Sequence, residues 1–298
     1  MGSAMAANLV RAGFEVYGYD VAPARREALR AAGGRPTRSC RQLGAKAGVI
    51  VCSLPSSASL LDTADALVAA GRAHVVVETS TLPLDDKREA RQRLREAGSV
   101  LLDCPLSGTG SQARNRDLVV LASGPRRAYR EVAPVLDGFA RAHHHVGPFG
   151  AGSMMKFVAN LLVAIHNVAS AEAMVLAMKA GLDPALTLRV VADGAGSSKV
   201  LQLRGPMMVA GRYADATMRL GVFQKDLAII DAFARQLGAA TPLFSAALPV
   251  YRAAIEAGRD AEDTAAVCAV LEQMSGHRRP AEDAGSRGGS ARRGRRRT

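Results

Sequence analysis

The sequence has 298 residues, a hydrophobic fraction of 48% and a net charge of +12, which suit a folded protein of two domains with a substantial core. No uncharged apolar run is long enough to cross a bilayer and the N-terminus lacks a secretory pattern, so we expect a cytoplasmic protein with no membrane partner. Four cysteines without a C-x-x-C pair argue against disulfides and against a structural zinc site.

The first half of the chain alternates short β-rich runs with helical patterns, which is typical of a doubly wound parallel sheet. A helix over 3–13 leads to a short strand that ends at Asp20. Further strands are predicted at 48–55, 74–80, 99–107, 117–124 and 143–147, with helices at 23–32, 57–71, 83–97 and 126–137. These elements predict a Rossmann-like α/β domain over residues 1–150.

A single long helix is predicted over 150–183, with glycines at its start and Gly181 near its end. Such a helix would extend about 40 Å, enough to pass from one domain into another. Lys156 and Asn160 lie on one face of its first turns because they are four residues apart. No further strand is expected, and the later helices are predicted at 184–193, 224–237, 241–257 and 263–273. Residues 151–273 therefore form an all-helical domain.

The positive charge is concentrated at the C-terminal end. Residues 277–298 contain eight arginines against one glutamate and one aspartate, which accounts for +6 of the net +12. This segment lacks large apolar residues, so we expect residues 274–298 to form a disordered basic tail. The folded part is only mildly basic, and a nucleic-acid partner is not expected. If the tail did bind nucleic acid, retention would depend steeply on salt and on residues 277–298.

The start of the chain has the features of the later part of a dinucleotide-binding fingerprint. Asp20 follows Gly2 by eighteen residues and ends a predicted strand, the position at which an acidic side chain accepts hydrogen bonds from the adenosine ribose. Gly2 would be the third glycine of G-x-G-x-x-G, and the helix after it would hold the pyrophosphate at its N-terminus. The first strand and the first two glycines of that fingerprint are expected to be missing.

Several motifs in a fixed order resemble those of the β-hydroxyacid dehydrogenases, the family of 3-hydroxyisobutyrate dehydrogenase. The opening MGSAMAANLVRAGFEVYGYD resembles the family's G-x-M-G helix and second strand, and SLP (53–55) resembles its Leu-Pro turn. ETST (78–81) resembles D-x-S-T, and DCPLSGT (103–109) resembles the substrate motif D-A-P-V-S-G-G. GAGSMMKFVAN (150–160) resembles the segment with the catalytic lysine, and QKDLAI (224–229) resembles the K-D-L helix.

The resemblance covers residues 1 to about 273 and implies a role for each matching residue. It places Gly2, Asp20, Leu54, Pro55, Thr81 and Lys225 at a nicotinamide dinucleotide. It gives the substrate carboxylate to three residues of one loop, Ser107, Gly108 and Thr109. It makes Lys156 the catalytic acid/base, with Asn160 orienting the substrate or the lysine. It also implies a homo-oligomer assembled through the helical domain.

Elementary chemistry agrees with these residue types. Moving a hydride from an alcohol requires a proton acceptor at its oxygen, and a desolvated lysine can have a pKa near the operating pH. We therefore predict an oxidoreductase that transfers a hydride between a nicotinamide cofactor and a small 3-hydroxy acid. NAD is favoured by Asp20, while Arg25 and Arg26 leave NADP open. The three histidines at 143–145 alternate across a strand, so no metal site is expected.

Three other interpretations stay open at this point. Lys156 and Lys225 could be helix lysines that simply extend to water. An imine reductase would share the fold, although the lysine counts against it. Because the front of the fingerprint is expected to be missing, the chain could also be a truncated or decayed relative that binds the cofactor weakly or not at all.

Overall fold

The structure is a computed structural model that describes residues 1–279. In chain order the first domain contains α1 (Gly2–Arg11), β1 (Tyr17–Gly18), α2 (Pro23–Ala31), β2 (Arg35–Pro36), α3 (Cys40–Lys46), β3 (Val49–Cys52), α4 (Ser57–Val68), β4 (Val75–Glu78), α5 (Leu84–Glu96), β5 (Val100–Asp103), β6 (Leu106–Ser107), α6 (Gly110–Arg114), β7 (Val119–Ser123), α7 (Arg126–Phe139) and β8 (Ala142–Gly147). The second contains α8 (Ala151–Lys179), α9 (Pro184–Asp193), α10 (Lys199–Ala210), α11 (Leu220–Gln236), α12 (Pro242–Glu256), a 3₁₀ turn (Thr264–Ala266) and α13 (Val267–Met274). The predicted order, an α/β domain followed by a helical one, is confirmed.

The main sheet is mixed, and the prediction of a parallel sheet is wrong at β7. β3, β4 and β5 are parallel neighbours whose apolar sequences suit strands covered on both faces. β7 runs antiparallel to β5 and β6, while β8 runs parallel to β7. The link from β6 to β7 contains only the five-residue α6, which is too short for the helical crossover that a parallel strand requires.

β5 and β6 behave as one strand that bends at Cys104 and Pro105. Both pair with β7 in a single register, in which Asp103 lies opposite Ser123 and Ser107 lies opposite Val119. β1 and β2 form a separate two-residue parallel pair instead of extending the main sheet. The pair is held by the N–H groups of Arg35 and Thr37, which donate to the carbonyl oxygens of Val16 and Gly18, and Pro36 has no N–H to offer a strand on its other side.

Several short elements escaped the sequence prediction, namely β2, α3, α6 and α10. The three helices among them, α3, α6 and α10, each have a side chain that caps the N-terminus. Ser39 accepts a hydrogen bond from the Gln42 N–H at the start of α3, and Ser198 accepts one from the Leu201 N–H at the start of α10. The cap residues of α3 and α10 can therefore be recognised in the sequence itself.

The helical domain is built around α8, which packs against α10, α11, α12 and α13. By length and composition α8 could cross a bilayer, which corrects the expectation that no such run exists. In this fold 44% of its apolar window is buried inside the protein, against aromatic side chains such as Phe223, Phe244 and Tyr251. The core of the helical domain therefore accounts for part of the apolar sequence of α8, while Met155, Val158, Leu162 and Leu176 are exposed.

The end of the described chain is attached to the helical domain. α13 ends at Met274, but Arg279 still donates hydrogen bonds to the Glu272 carboxylate and to the carbonyl oxygen of Val209. The predicted tail over residues 274–298 therefore starts too early, because an arginine near its beginning has a buried partner. Residues 280–298, with most of the basic charge, lie outside the described residues.

Candidate active site

Two loops that follow neighbouring parallel strands form one wall of the site. β3 runs into Leu54 and Pro55, and β4 runs into Thr79, Ser80 and Thr81. The loops are tied together, because the Leu54 N–H donates to the Ser80 hydroxyl at 2.7 Å and the Thr79 hydroxyl donates to the Cys52 carbonyl oxygen at 2.6 Å. Carboxyl ends of parallel strands are where α/β sheets hold their ligands.

Lys225 joins the helical domain to this wall. It lies near the start of α11, and its ammonium donates a hydrogen bond to the carbonyl oxygen of Thr81. The same ammonium is 3.5 Å from a carboxylate oxygen of Asp226. The structure thus brings together Thr81 and Lys225, two residues 144 positions apart that the sequence placed at the same cofactor.

Lys156 and Asn160 occupy the first turns of α8, facing α11. Asn160 is buried, and its amide nitrogen donates to the Asp226 carboxylate at 2.9 Å. Within residues 1–279 no hydrogen bond is formed by the ammonium of Lys156, so its three donors are available to a ligand. Burial lowers the pKa of Lys156, and the negative charge of Asp226 partly opposes that shift. A lysine in this setting can accept or release a proton closer to neutral pH than an exposed one.

Asp226 is a site residue that the sequence analysis missed. Its side chain is only 10% exposed and contacts Asn160 on α8 and Lys225 on its own helix. Burial raises the pKa of Asp226, while the positive charges of Lys225 and Lys156 act in the opposite direction. The signal was present in the QKDLAI segment, where this aspartate adjoins the lysine that was singled out.

The predicted substrate loop, residues 107–109, lies between β6 and α6. Ser107 is exposed, and Gly108 has a φ of +135°, a conformation that favours glycine. Thr109 also forms a capping box with Gln112 at the start of α6. The Thr109 N–H donates to the Gln112 side chain, and the Thr109 hydroxyl accepts from the Gln112 N–H. The Thr109 hydroxyl serves only as an acceptor in this cap, so its O–H can still donate to a carboxylate.

The remaining predicted cofactor residues lie at the amino end of α1 and after β1. A side chain on Gly2 would come within 3.4 Å of the Ser53 side chain, so the start of α1 lies beside the loop after β3. α1 has no side-chain cap and no acidic residue in its first turn. Asp20 accepts a hydrogen bond from the Ala22 N–H at 2.9 Å, and Arg26 donates to the Asp20 carbonyl oxygen.

No cluster of three or more potential metal ligands occurs among residues 1–279. The histidines of β8 instead form local contacts. His143 shares a hydrogen bond of 2.7 Å with the Tyr129 hydroxyl, and its other ring nitrogen lies 3.2 Å from the Asp137 carboxylate.

Comparisons with known proteins agree with this arrangement. Residues 1–147 match the NAD binding domain of 6-phosphogluconate dehydrogenase, and residues 150–271 match the NAD-binding domain of NADP-dependent 3-hydroxyisobutyrate dehydrogenase. An L-threonate dehydrogenase of Cupriavidus necator is 32% identical over 91% of this chain and 93% of its own. The chain belongs to the β-hydroxyacid dehydrogenase family. The predicted enzyme class, a hydroxyacid dehydrogenase that uses NAD or NADP, is thereby confirmed.

Two further relatives support the same membership. A 3-hydroxyisobutyrate dehydrogenase of Pseudomonas aeruginosa is 32% identical, and the alignment covers 88% of this chain and 91% of that protein. The structure of the Mycobacterium tuberculosis 3-hydroxyisobutyrate dehydrogenase with L-serine superimposes with a TM-score of 0.84 at 29% identity, covering 91% of this chain and 95% of that one. The similarity spans both domains, so the joint between them belongs to the shared fold.

Proposed function

We propose that this β-hydroxyacid dehydrogenase oxidises a small 3-hydroxy acid, with Lys156 as the general base, and reduces the corresponding carbonyl with Lys156 as the general acid. The observation that carries the proposal is the position of Lys156, whose ammonium forms no hydrogen bond with residues 1–279 and lies beside the buried Asn160–Asp226 pair. Among the lysines singled out from the sequence, Lys225 is already hydrogen-bonded to the protein, so Lys156 is the better proton carrier.

In the oxidation direction the neutral amine of Lys156 takes the proton from the substrate hydroxyl while the carbon gives up its hydride. The nicotinamide ring, when bound, accepts that hydride. Because burial lowers the pKa of Lys156, more of the lysine is neutral at a given pH than for an exposed lysine. In the reverse direction the Lys156 ammonium returns the proton to the developing alkoxide. Asn160, held by Asp226, orients the lysine or the substrate hydroxyl.

The cofactor would occupy the groove between the start of α1 and the loops after β3 and β4. α1 offers an uncapped helix N-terminus without nearby acidic residues, which suits the pyrophosphate. Asp20 would accept the ribose hydroxyls, while Leu54, Pro55 and Thr81 would contact the nicotinamide half. NAD is the proposed cofactor because the Asp20 carboxylate would repel a 2′-phosphate, although Arg25 and Arg26 lie close by in the chain.

The substrate carboxylate would be held by the backbone of Gly108 and by the Ser107 hydroxyl. The Thr109 hydroxyl would donate to the same carboxylate, since it serves only as an acceptor in the cap of α6. Relatives are named for L-threonate and for 3-hydroxyisobutyrate, and one structure contains L-serine. These compounds all combine a carboxylate with a nearby hydroxyl, and that combination defines the substrate class proposed here.

The test is a panel of small hydroxy acids assayed with NAD and with NADP, in the wild-type protein and in Lys156→Met. We expect turnover of at least one 3-hydroxy acid and a loss in kcat of about 10²–10⁴-fold in K156M, as for removal of a general acid/base. Lys179→Met provides a matched control, because Lys179 is the exposed last residue of the same helix. Substantial turnover in K156M, or none by the wild type with any acid, would refute the proposal.

A further inference from the structure

Beneath the active site lies a buried charge cluster for which the proposed chemistry has no use. Glu78 ends β4 and Asp103 ends β5, and the two residues are direct neighbours across the parallel pair. Lys87 reaches them from α5, with its ammonium 2.7 Å from Glu78 and 2.8 Å from Asp103. All three side chains have no exposed surface. Two carboxylates side by side in the interior require a cation, and Lys87 supplies it.

The cluster continues directly into the first turn of α8. Asp103 accepts two hydrogen bonds from Ser153, one from its N–H and one from its hydroxyl, both at 2.8 Å. Ser123 also donates to Asp103 and accepts a hydrogen bond from the Gly152 N–H at 2.9 Å. Ser123 and Asp103 thus take the N–H groups that a side chain at the helix cap usually takes.

α8 depends on this external cap because it has none of its own. Its cap residue is Gly150, with a φ of +96° and no side chain that could accept a hydrogen bond. The negative charge of Asp103 is also favourable at a helix N-terminus. Lys156 follows Ser153 by three residues, close to one helical turn, so whatever fixes Ser153 also fixes the backbone that carries the lysine.

We propose that Lys87 is a positioning residue for Lys156: by balancing the two buried carboxylates it holds Asp103 against Ser153 and so fixes the first turn of α8. The inference rests on the proposed role of Lys156. It predicts that the charge of Lys87, and not merely its volume, matters for the reaction.

The experiment compares Lys87→Met with the double variant E78Q/K87M, which has the same loss of the lysine but leaves a single buried carboxylate. We expect K87M to lower kcat by about 10- to 100-fold, as a displaced catalytic group does, with a much smaller change in KM. Amide hydrogen exchange, followed by mass spectrometry, should become faster in the first turn of α8. E78Q/K87M should recover most of the kcat and of the protection, because Asp103 keeps Ser123, Ser153 and the helix N-terminus.

Arg204→Met is the matched control, since Arg204 is a buried cation 3.2 Å from the Asp263 carboxylate within the helical domain. It should lower stability while leaving kcat and exchange at the start of α8 unchanged. Wild-type kcat and exchange in K87M would overturn the proposal, and so would an E78Q/K87M protein as impaired as K87M, because packing alone would then explain the loss.

Two further measurements keep the test decisive. If K87M does not fold, Ser153→Ala keeps all three charges and breaks only the side-chain link to Asp103; unchanged kcat in S153A would then overturn the proposal. If K156M retains turnover, the proposed role of Lys156 fails by itself, and hydrogen exchange in K87M still reports whether Lys87 fixes α8.

Discussion

Replacing Gly152 with alanine tests how closely the first turn of α8 must approach the sheet. An added Cβ would lie 2.8 Å from the Asp103 carbonyl oxygen and closer still to that of Leu121, whereas an ordinary contact begins at 3.4 Å. Both obstacles are backbone atoms of the central sheet and cannot rotate away. α8 would therefore have to move outwards by more than half an ångström, and Lys156 would move with it.

A displacement of about 1 Å at a catalytic group can cost about 100-fold in rate, so we expect kcat of G152A to fall by roughly 10- to 100-fold. Overpacking should also lower the free energy of unfolding by about 1–3 kcal/mol. Steady-state kinetics and urea denaturation measure the two effects. Gly205→Ala is the control, because its Cβ would meet only the flexible end of the Leu188 side chain. A G152A enzyme with the kcat of the wild type would refute the argument.

Two other perturbations have outcomes with a defined direction. In Asp226→Asn the amide still accepts from Asn160, but the charge that raises the pKa of Lys156 is gone, so that pKa should fall further. The acid limb of the pH profile for oxidation should then move to lower pH; a shift to higher pH would contradict the assignment. Asp263→Ala should lower the free energy of unfolding by about 3–5 kcal/mol in urea denaturation, because it leaves Arg204 buried without its carboxylate. A loss below 1 kcal/mol would show that the pair contributes little.

The buried cluster shows why part of the site could not be predicted from sequence. The sequence of α5, LDDKREARQRLRE, consists mostly of charged residues, which predicts an exposed helix. Its single lysine, Lys87, does not stand out among them. The buried residues of that helix are Leu84, Lys87, Ala90 and Leu94, so Lys87 lies on the face that the apolar residues mark. The helical spacing therefore indicates that Lys87 is buried. Its partners Glu78 and Asp103 come from two other elements, and only the fold brings the three residues together.

Thr109 has a local structural role beside the substrate role that the resemblance implies. The segment T-G-S-Q over 109–112 has the spacing of a capping box, a local pattern that sequence alone contains. The resemblance to a substrate motif predicts the hydroxyl as a ligand, and the capping box predicts its local partner Gln112. The direction of β7 could not be predicted from the strand itself, because the length of the link, not the apolar pattern of the strand, determines it.

α8 was predicted well because its signals are local, namely glycines at the ends and an uninterrupted apolar run. The structure adds a pattern along that helix. Ser153, Asn160 and Asn167 are seven residues apart and share one face, and each is buried. Ser153 is held by Asp103 of the sheet and Asn160 by Asp226 of α11, while Asn167 donates to the Tyr251 hydroxyl at 3.0 Å and to the Thr264 carbonyl oxygen.

These three hydrogen-bonded positions attach α8 to the sheet, to α11 and to the far end of the helical domain in turn. In a helix as apolar as α8, burying a polar side chain costs free energy unless the side chain forms hydrogen bonds. Lys156 stands between the first two of them, and within residues 1–279 its ammonium forms no hydrogen bond. Because Lys156 is only partly buried and its donors are unused within that range, a ligand that reaches the start of α8 can accept hydrogen bonds from it without breaking a protein contact, which supports the proposed role of Lys156.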